Sequence, residues 1–150
     1  MHNKIISIIP ARSGSKGLKN KNIRLLSGRP LIDWSILFAK KCSLIDDCIV
    51  STDSQEIADI ALASGAKVPY LRSKELSTDI ARTSDVLIDV IKNCNIRNDD
   101  IILLLEPTSP YRKFSDLQKI LELMEKNNLR KVVSISEAVS SCYRFQFYQS

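Results

Sequence analysis

The residues best suited to chemistry form a short loop near the start of the chain, Pro10-Ala11-Arg12-Ser13-Gly14-Ser15-Lys16-Gly17. Two glycines and two serines let backbone N–H groups converge on an anion, because glycine adopts backbone conformations that other residues avoid. Arg12 adds a planar, multidentate cation and Lys16 a mobile point charge. The spacing matches neither a Walker A loop nor a G-x-G-x-x-G fingerprint. The composition predicts a phosphate-binding loop, with an ordinary flexible basic loop as the alternative.

Four other polar segments are weaker candidates, each with a simpler structural interpretation. The stretch 19–23 (KNKNI) fits a turn with solvated lysines. Ser51-Thr52-Asp53 fits a helix cap, with Asp53 opening a capping box. The segment 72–84, which carries Asp79, fits an exposed loop. Glu106 ends an apolar run and precedes a stiff Pro-x-x-Pro turn, so it is placed either to face a ligand or simply to lead into the next helix.

The positive charge is concentrated at one end of the chain. Residues 1–41 hold nine Lys and Arg against one acid, whereas the rest of the chain holds 13 basic and 16 acidic residues. Such a segment suits nucleic acid, an anionic membrane or a small polyphosphate. The stretch 11–29 has no aromatic residue to stack on bases and no amphipathic helical period. We therefore expect a small polyphosphate, and neither nucleic acid nor membrane, as the partner. A solvated charged face is the alternative interpretation of this segment.

Several classes of protein and site are disfavoured by the residues themselves. The chain has one histidine, His2, and four cysteines without a Cys-x-x-Cys pair, so a zinc site or a histidine base is not expected. Its longest apolar runs are too short to cross a bilayer, and its N-terminus has no signal-peptide pattern. These features predict a cytoplasmic protein with reduced cysteines.

The apolar pattern predicts strands and helices in alternation. The predicted strands are 4–10, 47–51, 67–71, 101–106 and 131–136. The predicted helices are 31–41, one from Asp53 to Gly65, one from Thr83 or Ser84 to about Cys94, and 115–127. The run 101–106 is apolar on both faces, which favours a central position. We expect a single α/β domain over 1–150, with a mostly parallel sheet and helices on both faces.

One predicted connection is unusually long. About twenty residues separate the first strand from the helix at Leu31, where two to six are usual. In parallel α/β sheets, ligands bind beyond the carboxyl ends of the strands. The long connection and its basic loop are therefore expected to form the binding site.

Taken in order, the motifs of this chain resemble those of the CMP-sialic acid synthetases, also called acylneuraminate cytidylyltransferases. The motifs are Ile-Pro-Ala-Arg-Ser-Gly-Ser-Lys-Gly, Lys21-Asn22-Ile23, Gly28-Arg29-Pro30-Leu31-Ile32, Ser51-Thr52-Asp53, Leu71-Arg72 and Pro107-Thr108-Ser109-Pro110. The resemblance covers about residues 4–137. It implies a Rossmann-like nucleotidyltransferase domain.

The resemblance also implies a reaction. The anomeric hydroxyl of a nine-carbon, sialic-acid-type sugar attacks the α-phosphorus of CTP, and pyrophosphate leaves. Mg²⁺ is the implied cofactor, because it neutralises phosphate charge. The partners are then CTP and the sugar, which could be a neuraminate, legionaminate or pseudaminate, and a homodimer is expected.

Site residues follow by position from the same resemblance. Arg12 and Lys21 match catalytic positions that stabilise charge on the phosphates. The implied nucleotide-binding residues are Arg12, Ser15, Lys16, Asn22, Arg72, Ala81 and Thr83. The implied sugar-binding residues are Glu106, Pro107, Thr108 and Ser109.

The chain departs from the family pattern in two ways. Many members have Gln where this chain has Glu106, which suggests Glu106 as an Mg²⁺ ligand. Members also run well beyond 200 residues and carry an Asp-x-Asp metal motif that this sequence lacks. We therefore expect an N-terminal portion that binds CTP weakly and turns over little. A non-catalytic nucleotide-binding module is the alternative.

Overall fold

The computed structural model describes residues 3–14 and 17–135. Contacts between residues group the chain into two compact units, Met1–Arg112 and Lys113–Ser150. The strands of the described residues all belong to the first unit. They are β1 (Ile5–Pro10), β2 (Leu25–Leu26), β3 (Arg29–Pro30), β4 (Asp47–Ser51) and β5 (Ile101–Leu104).

The main sheet is parallel and has the order β4-β1-β5. β1 pairs along its length with both neighbours, for example Ile8 with Ile49 and Ile6 with Ile102. Its first five residues are all buried, as expected of a strand covered on both faces. The prediction that 101–106 is the central strand is wrong. β5 ends at Leu104, and this residue is 38% exposed at the edge of the three-stranded sheet.

Helices cover both faces of this sheet, as the alternating pattern predicts. They are α1 (Leu31–Lys41), α2 (Gln55–Ala63) and α3 (Thr83–Asn93). One core cluster joins Ile9 and Val50 of the sheet to Ile36 and Ile57 of the first two helices. A second cluster joins Ile8 and Ile49, on the opposite face, to Val90 of α3. The first unit is therefore a three-layer α/β sandwich, as predicted.

The start of α2 differs from the predicted capping box. Ser54 is the N-cap, and its Oγ accepts a hydrogen bond from the Ile57 N–H at 3.4 Å. Asp53 lies outside the helix and accepts hydrogen bonds from another loop. Gly65, predicted to end the helix, has φ +88° after the C-cap Ser64, a conformation that glycine adopts without strain.

Two other predicted strands are not observed as strands. The stretch 67–71 makes two isolated parallel bridges, Ile49 to Lys67 and Thr52 to Leu71, instead of a continuous ladder. Residues 131–135 are irregular, and Ser136 lies outside the described residues. The long first connection contains a 3₁₀ turn at Lys21–Ile23 and the β2–β3 hairpin. Its length is therefore partly taken up by local structure.

The second unit is described through its helix, α4 (Phe114–Lys126). The predicted range, 115–127, is displaced by one residue at each end. Ordinary uncertainty in helix boundaries accounts for this difference. In the part of the chain that the structure describes, no helix is both long and apolar enough to cross a membrane.

Asp100 joins the beginnings of β1 and β5. Its Oδ1 accepts hydrogen bonds from the Lys4 N–H at 3.0 Å and from the Arg97 guanidinium at 2.8 Å. The hydrogen bond from the Arg97 side chain lowers the pKa of Asp100 to about 2, from an ordinary value of 3.8. The ionised carboxylate is therefore favoured by the folded state.

Asp100→Asn is expected to lower the Tm at pH 7. Because the pKa of Asp100 is lower in the folded state, its stabilisation is complete well above pH 3.8 and is lost as the pH falls through about 2. The difference in Tm between wild type and Asp100→Asn should therefore shrink as the pH falls from 3.8 to about 2. Thermal unfolding followed by circular dichroism measures this difference. Asp99→Asn is the matched control. An equal effect of both substitutions on the Tm would contradict the stabilising role of the Asp100 carboxylate.

Candidate functional site

A cavity of about 540 Å³ opens beyond the carboxyl ends of β1 and β5. Its walls come from the loop after β1, the segment 72–83 and the turn after β5. The lining residues are Pro10, Arg12, Gly17, Leu18, Lys21, Asn22, Arg72, Leu76, Thr78, Asp79, Ala81, Thr83, Val86, Glu106, Pro107 and Thr108. This is the edge of the sheet at which parallel α/β folds bind ligands.

Arg12, in the loop after β1, lines this cavity. Its Nη2 donates to Asp79 Oδ1 at 2.6 Å, and its Nη1 donates to the Ser77 carbonyl at 3.4 Å. The two charged side chains are 31% and 32% exposed, so water screens their attraction. A ligand anion can therefore compete with Asp79 for the guanidinium.

Lys21 and Asn22 enter the site through the 3₁₀ turn. Asn20 precedes that turn with φ 55°, a left-handed conformation that asparagine tolerates. Asn22 is only 6% exposed, and its side-chain amide donates to the Arg12 carbonyl at 3.0 Å. The turn thus fixes the backbone that carries Arg12, while Lys21 adds a second cation to the lining.

Arg72 is the most deeply buried charged residue of the lining, with 5% exposure. Its backbone N–H donates to the Thr52 carbonyl at 2.7 Å, and its Nε donates to Ser77 Oγ at 3.2 Å. Burial lowers the pKa of Arg72, and the nearby Asp53 carboxylate partly opposes that shift. A guanidinium with so little hydration is suited to direct contact with an acceptor on a ligand.

Glu106 begins the turn that follows β5. The Ser109 N–H closes this turn onto the Glu106 carbonyl at 3.1 Å. Arg112 anchors the turn to the body of the domain by donating to Ser35 Oγ at 2.9 Å and to the Glu106 carbonyl. Ser35 is fully buried in α1, so the turn is fixed where it faces the cavity.

The structure brings together nine of the residues singled out in the sequence. Arg12, Lys21, Asn22, Arg72, Ala81, Thr83, Glu106, Pro107 and Thr108 all line the cavity. Ser109 stays outside the lining and closes the turn. Ser15 and Lys16 lie outside the described residues. The individual roles of these residues remain predictions.

Some residues of the site have no clear signal in the sequence. Leu76 and Thr78 line the cavity from the segment 72–83, which resembles an ordinary polar loop. Asp79 pairs with a residue 67 positions away, and Asp53 with one 40 positions away. Local patterns carry no information about such long-range pairs. The parallel sheet topology alone would have placed Asp53 at the correct edge.

The charges of the lining favour an anionic ligand of moderate size. It carries the cations Arg12, Lys21 and Arg72 against the carboxylates Asp79 and Glu106. Among the residues that the structure describes, no three His, Cys, Asp or Glu side chains group as a metal site. The site can therefore bind phosphates through its basic side chains, and the Glu106 carboxylate is also part of its lining.

Comparison with known proteins gives a consistent set of relatives. Residues 6–146 match the family model described as Cytidylyltransferase. The chain is 43% identical over 135 residues to the CMP-N,N'-diacetyllegionaminic acid synthase of Legionella pneumophila, covering 89% of this chain and 58% of that protein. It is 35% identical to the pseudaminic acid cytidylyltransferase of Campylobacter jejuni, covering 89% of this chain and 59% of the relative. The chain thus spans about three fifths of these relatives.

Solved structures agree on the fold. The structure of CMP:2-keto-3-deoxy-manno-octonic acid synthetase complexed with CTP superposes with a TM-score of 0.70 at 24% identity, covering 84% of this chain and 49% of that one. A 4-diphosphocytidyl-2C-methyl-D-erythritol synthase superposes with a TM-score of 0.66 at 13% identity, covering 83% and 56%. At these identities the likeness establishes the Rossmann-like fold.

Proposed function

Since the chain belongs to the cytidylyltransferase family, we propose that it supplies the CTP-binding part of an enzyme that makes CMP-sugars. The acceptor is a nine-carbon sugar acid of the sialic-acid type, and pyrophosphate is the second product. Legionaminate, pseudaminate and neuraminate are the candidate sugars, because relatives named for each of them match this chain. A cytoplasmic location remains a prediction from the sequence.

One observation carries this proposal: Arg12, Lys21 and Arg72 face the same cavity at the carboxyl edge of the sheet. A triphosphate needs several cations, and a guanidinium can donate two parallel hydrogen bonds to it. Arg12 and Lys21 are assigned to the phosphates, and Asn22 and Arg72 to the cytidine. Ala81 and Thr83, at the start of α3, are assigned to the base. Ser15 and Lys16 are assigned to the phosphates by the resemblance alone.

The chemistry assigned to this site is an in-line displacement. A bond forms between the anomeric oxygen of the sugar and the α-phosphorus of CTP, the bond to pyrophosphate breaks, and the hydroxyl proton passes to the solvent. Arg12 and Lys21 stabilise the charge that develops on the phosphates, which is mainly an electrostatic task. Glu106, Pro107 and Thr108 are assigned to the side of the cavity that receives the sugar.

The residues of the lining fit Mg²⁺ that is held jointly with a nucleotide. Mg²⁺ usually takes one or two carboxylates together with substrate phosphates and water. Glu106 is the carboxylate that would hold it, since Asp79 is paired with Arg12. When bound, the ion would neutralise phosphate charge.

Glu106→Gln is expected to raise the Mg²⁺ concentration needed for half-maximal CTP binding by about tenfold, the effect of losing one charged contact. The measurement is calorimetric titration with CTP at a series of Mg²⁺ concentrations. Glu56→Gln, at an exposed position of α2, is the matched control. If CTP binding by Glu106→Gln depends on Mg²⁺ concentration as it does in wild type, Glu106 is not a metal ligand.

Asp79→Asn is expected to tighten triphosphate binding. The Asp79 carboxylate competes with the phosphates for Arg12, and a partly exposed pair of this kind is worth up to about 1 kcal/mol. We therefore expect a Kd about two- to fivefold lower by calorimetry. Asp85→Asn, exposed in the first turn of α3, is the control. Weaker binding by Asp79→Asn would show instead that the carboxylate contacts the ligand or its metal.

A pyrophosphate-release assay tests the proposed reaction. The chain alone, supplied with CTP, Mg²⁺ and each candidate sugar acid, is expected to bind CTP and to turn over little. The mixture is then supplemented with the C-terminal part of the relative that is 43% identical to this chain, the part that the match does not cover. This separate polypeptide is expected to raise pyrophosphate release. CTP binding without any release in that mixture would favour the non-catalytic nucleotide-binding module.

A further inference from the structure

Asp53 clamps the loop that follows β1. Its Oδ1 accepts a hydrogen bond from the Ser13 N–H at 2.8 Å, and its Oδ2 accepts one from the Ser13 hydroxyl at 2.9 Å. Both carboxylate oxygens thus hold one residue, 40 positions earlier in the chain. Charge-assisted hydrogen bonds of this kind are stronger than neutral ones, and two together fix orientation as well as distance.

The clamp completes a frame around Arg12. Just before Arg12 in the chain, the Ala11 N–H donates to the Ser51 carbonyl at 2.9 Å. The Arg12 carbonyl accepts from the Asn22 amide at 3.0 Å. Three consecutive residues of the loop are therefore held by three separate partners, and the Arg12 side chain extends from a fixed backbone. Without the Asp53 clamp, the side of the loop leading to Gly14 would lose its anchor.

Asp53 is also placed to act on Arg72. Among the nearby charges, the Asp53 carboxylate most strongly favours the charged form of the buried guanidinium, which has little water to stabilise it. The backbone brings the two together, because the Arg72 N–H donates to the carbonyl of Thr52, the residue before Asp53. One carboxylate thus serves both the basic loop and the buried arginine.

Capping of α2, the local role that the sequence suggests for Asp53, is performed by another residue. Ser54 caps α2 through its own hydroxyl, so the helix does not depend on the Asp53 side chain. The carboxylate points away from the helix and toward the cavity-forming loop. Its hydrogen bonds therefore serve the site and not the start of the helix.

We propose that Asp53 is a positioning residue for nucleotide binding, which holds the Ser13 side of the phosphate loop in the arrangement that receives CTP. This inference rests on the proposed function and deepens it. Asp53 itself touches neither the phosphates nor the base. It acts through Ser13, and its charge favours the neighbouring Arg72 guanidinium, so its loss weakens binding without removing any group that contacts the ligand.

The test compares Asp53→Asn and Asp53→Ala with wild type by CTP calorimetry, thermal unfolding and amide hydrogen exchange. We expect the Kd for CTP to rise about tenfold in Asp53→Asn and further in Asp53→Ala, because asparagine keeps one neutral acceptor for Ser13 and alanine keeps none. The Ser13 amide should exchange faster in Asp53→Ala. Asp59→Asn, an exposed acid on α2, makes the same charge change and should leave all three measurements unchanged.

The outcomes separate this inference from the proposed function. Wild type that binds no CTP contradicts the proposed function, and the Ser13 exchange rate still decides whether Asp53 holds the loop. If wild type and both variants bind CTP equally well, the role of Asp53 is overturned and the proposed function still stands. A Kd that rises only in proportion to a fall in Tm would indicate a structural role instead. If Asp53→Ala fails to fold, the isosteric Asp53→Asn carries the test.

Discussion

Arg12→Ala is expected to weaken CTP binding by about 10- to 100-fold, since a charged hydrogen bond contributes about 1.5–3 kcal/mol. The guanidinium lies in the cavity wall and is held there by Asp79. That ion pair is partly exposed, so its loss should change the free energy of unfolding by less than about 1 kcal/mol. The variant should therefore be folded and deficient in binding, as calorimetry together with urea unfolding would show.

Two further variants locate the effect of Arg12. Arg24→Ala removes an exposed arginine from the same connection but outside the cavity lining, and should bind CTP as wild type does. Arg12→Lys keeps the charge and loses the planar fork, so its Kd should fall between those of wild type and Arg12→Ala. Equal losses in Arg12→Ala and Arg24→Ala would mean that general positive charge, and not this site, attracts the nucleotide.

Arg72→Met is expected to abolish discrimination between CTP and UTP and to weaken CTP binding strongly. Arg72 is the buried cation assigned to the cytidine, with 5% exposure. Its removal takes away a positive charge near Asp53 and the hydrogen bond from the Arg72 Nε to Ser77 Oγ. We therefore also expect a loss of about 1.5–3 kcal/mol in the free energy of unfolding, the contribution of a hydrogen bond from a charged group.

The matched control for Arg72→Met is Arg82→Met, an exposed arginine just before α3. This variant should keep both the CTP affinity and the preference for CTP over UTP. Binding is measured by calorimetry with each nucleotide, and stability by urea unfolding. A CTP-to-UTP affinity ratio that stays at the wild-type value in Arg72→Met would exclude Arg72 as a cytidine contact.

Local sequence patterns predict the helices and the three strands of the main sheet, but not the order of those strands. α1 matches its predicted bounds because a single apolar stripe and Pro30 define it within eleven residues. The central strand could not be predicted in the same way. β5 is as apolar as β1, but strand order depends on pairing between distant segments, which hydrophobicity does not encode.

The candidate site shows the same division between local and long-range information. The composition of the loop around Arg12 predicts phosphate binding by itself. The resemblance adds lining residues such as Asn22, Arg72 and Glu106, but it does not indicate Leu76 or Thr78. The pairs Arg12–Asp79 and Ser13–Asp53 join segments 67 and 40 residues apart. In the sequence Asp53 fits a helix cap equally well. In the structure Ser54 takes that role, and both carboxylate oxygens of Asp53 accept hydrogen bonds from Ser13 instead.

Calorimetric titration of the chain with CTP and Mg²⁺, with ATP, GTP and UTP as controls, decides whether the chain holds a site for CTP. We expect weak, saturable binding of CTP and clearly weaker binding of the other three nucleotides. Equal binding of all four, with an affinity that falls steeply as salt is added, would indicate a nonspecific basic surface. Binding of none of them would contradict the claim that Arg12, Lys21 and Arg72 form a cytidine triphosphate site within this chain.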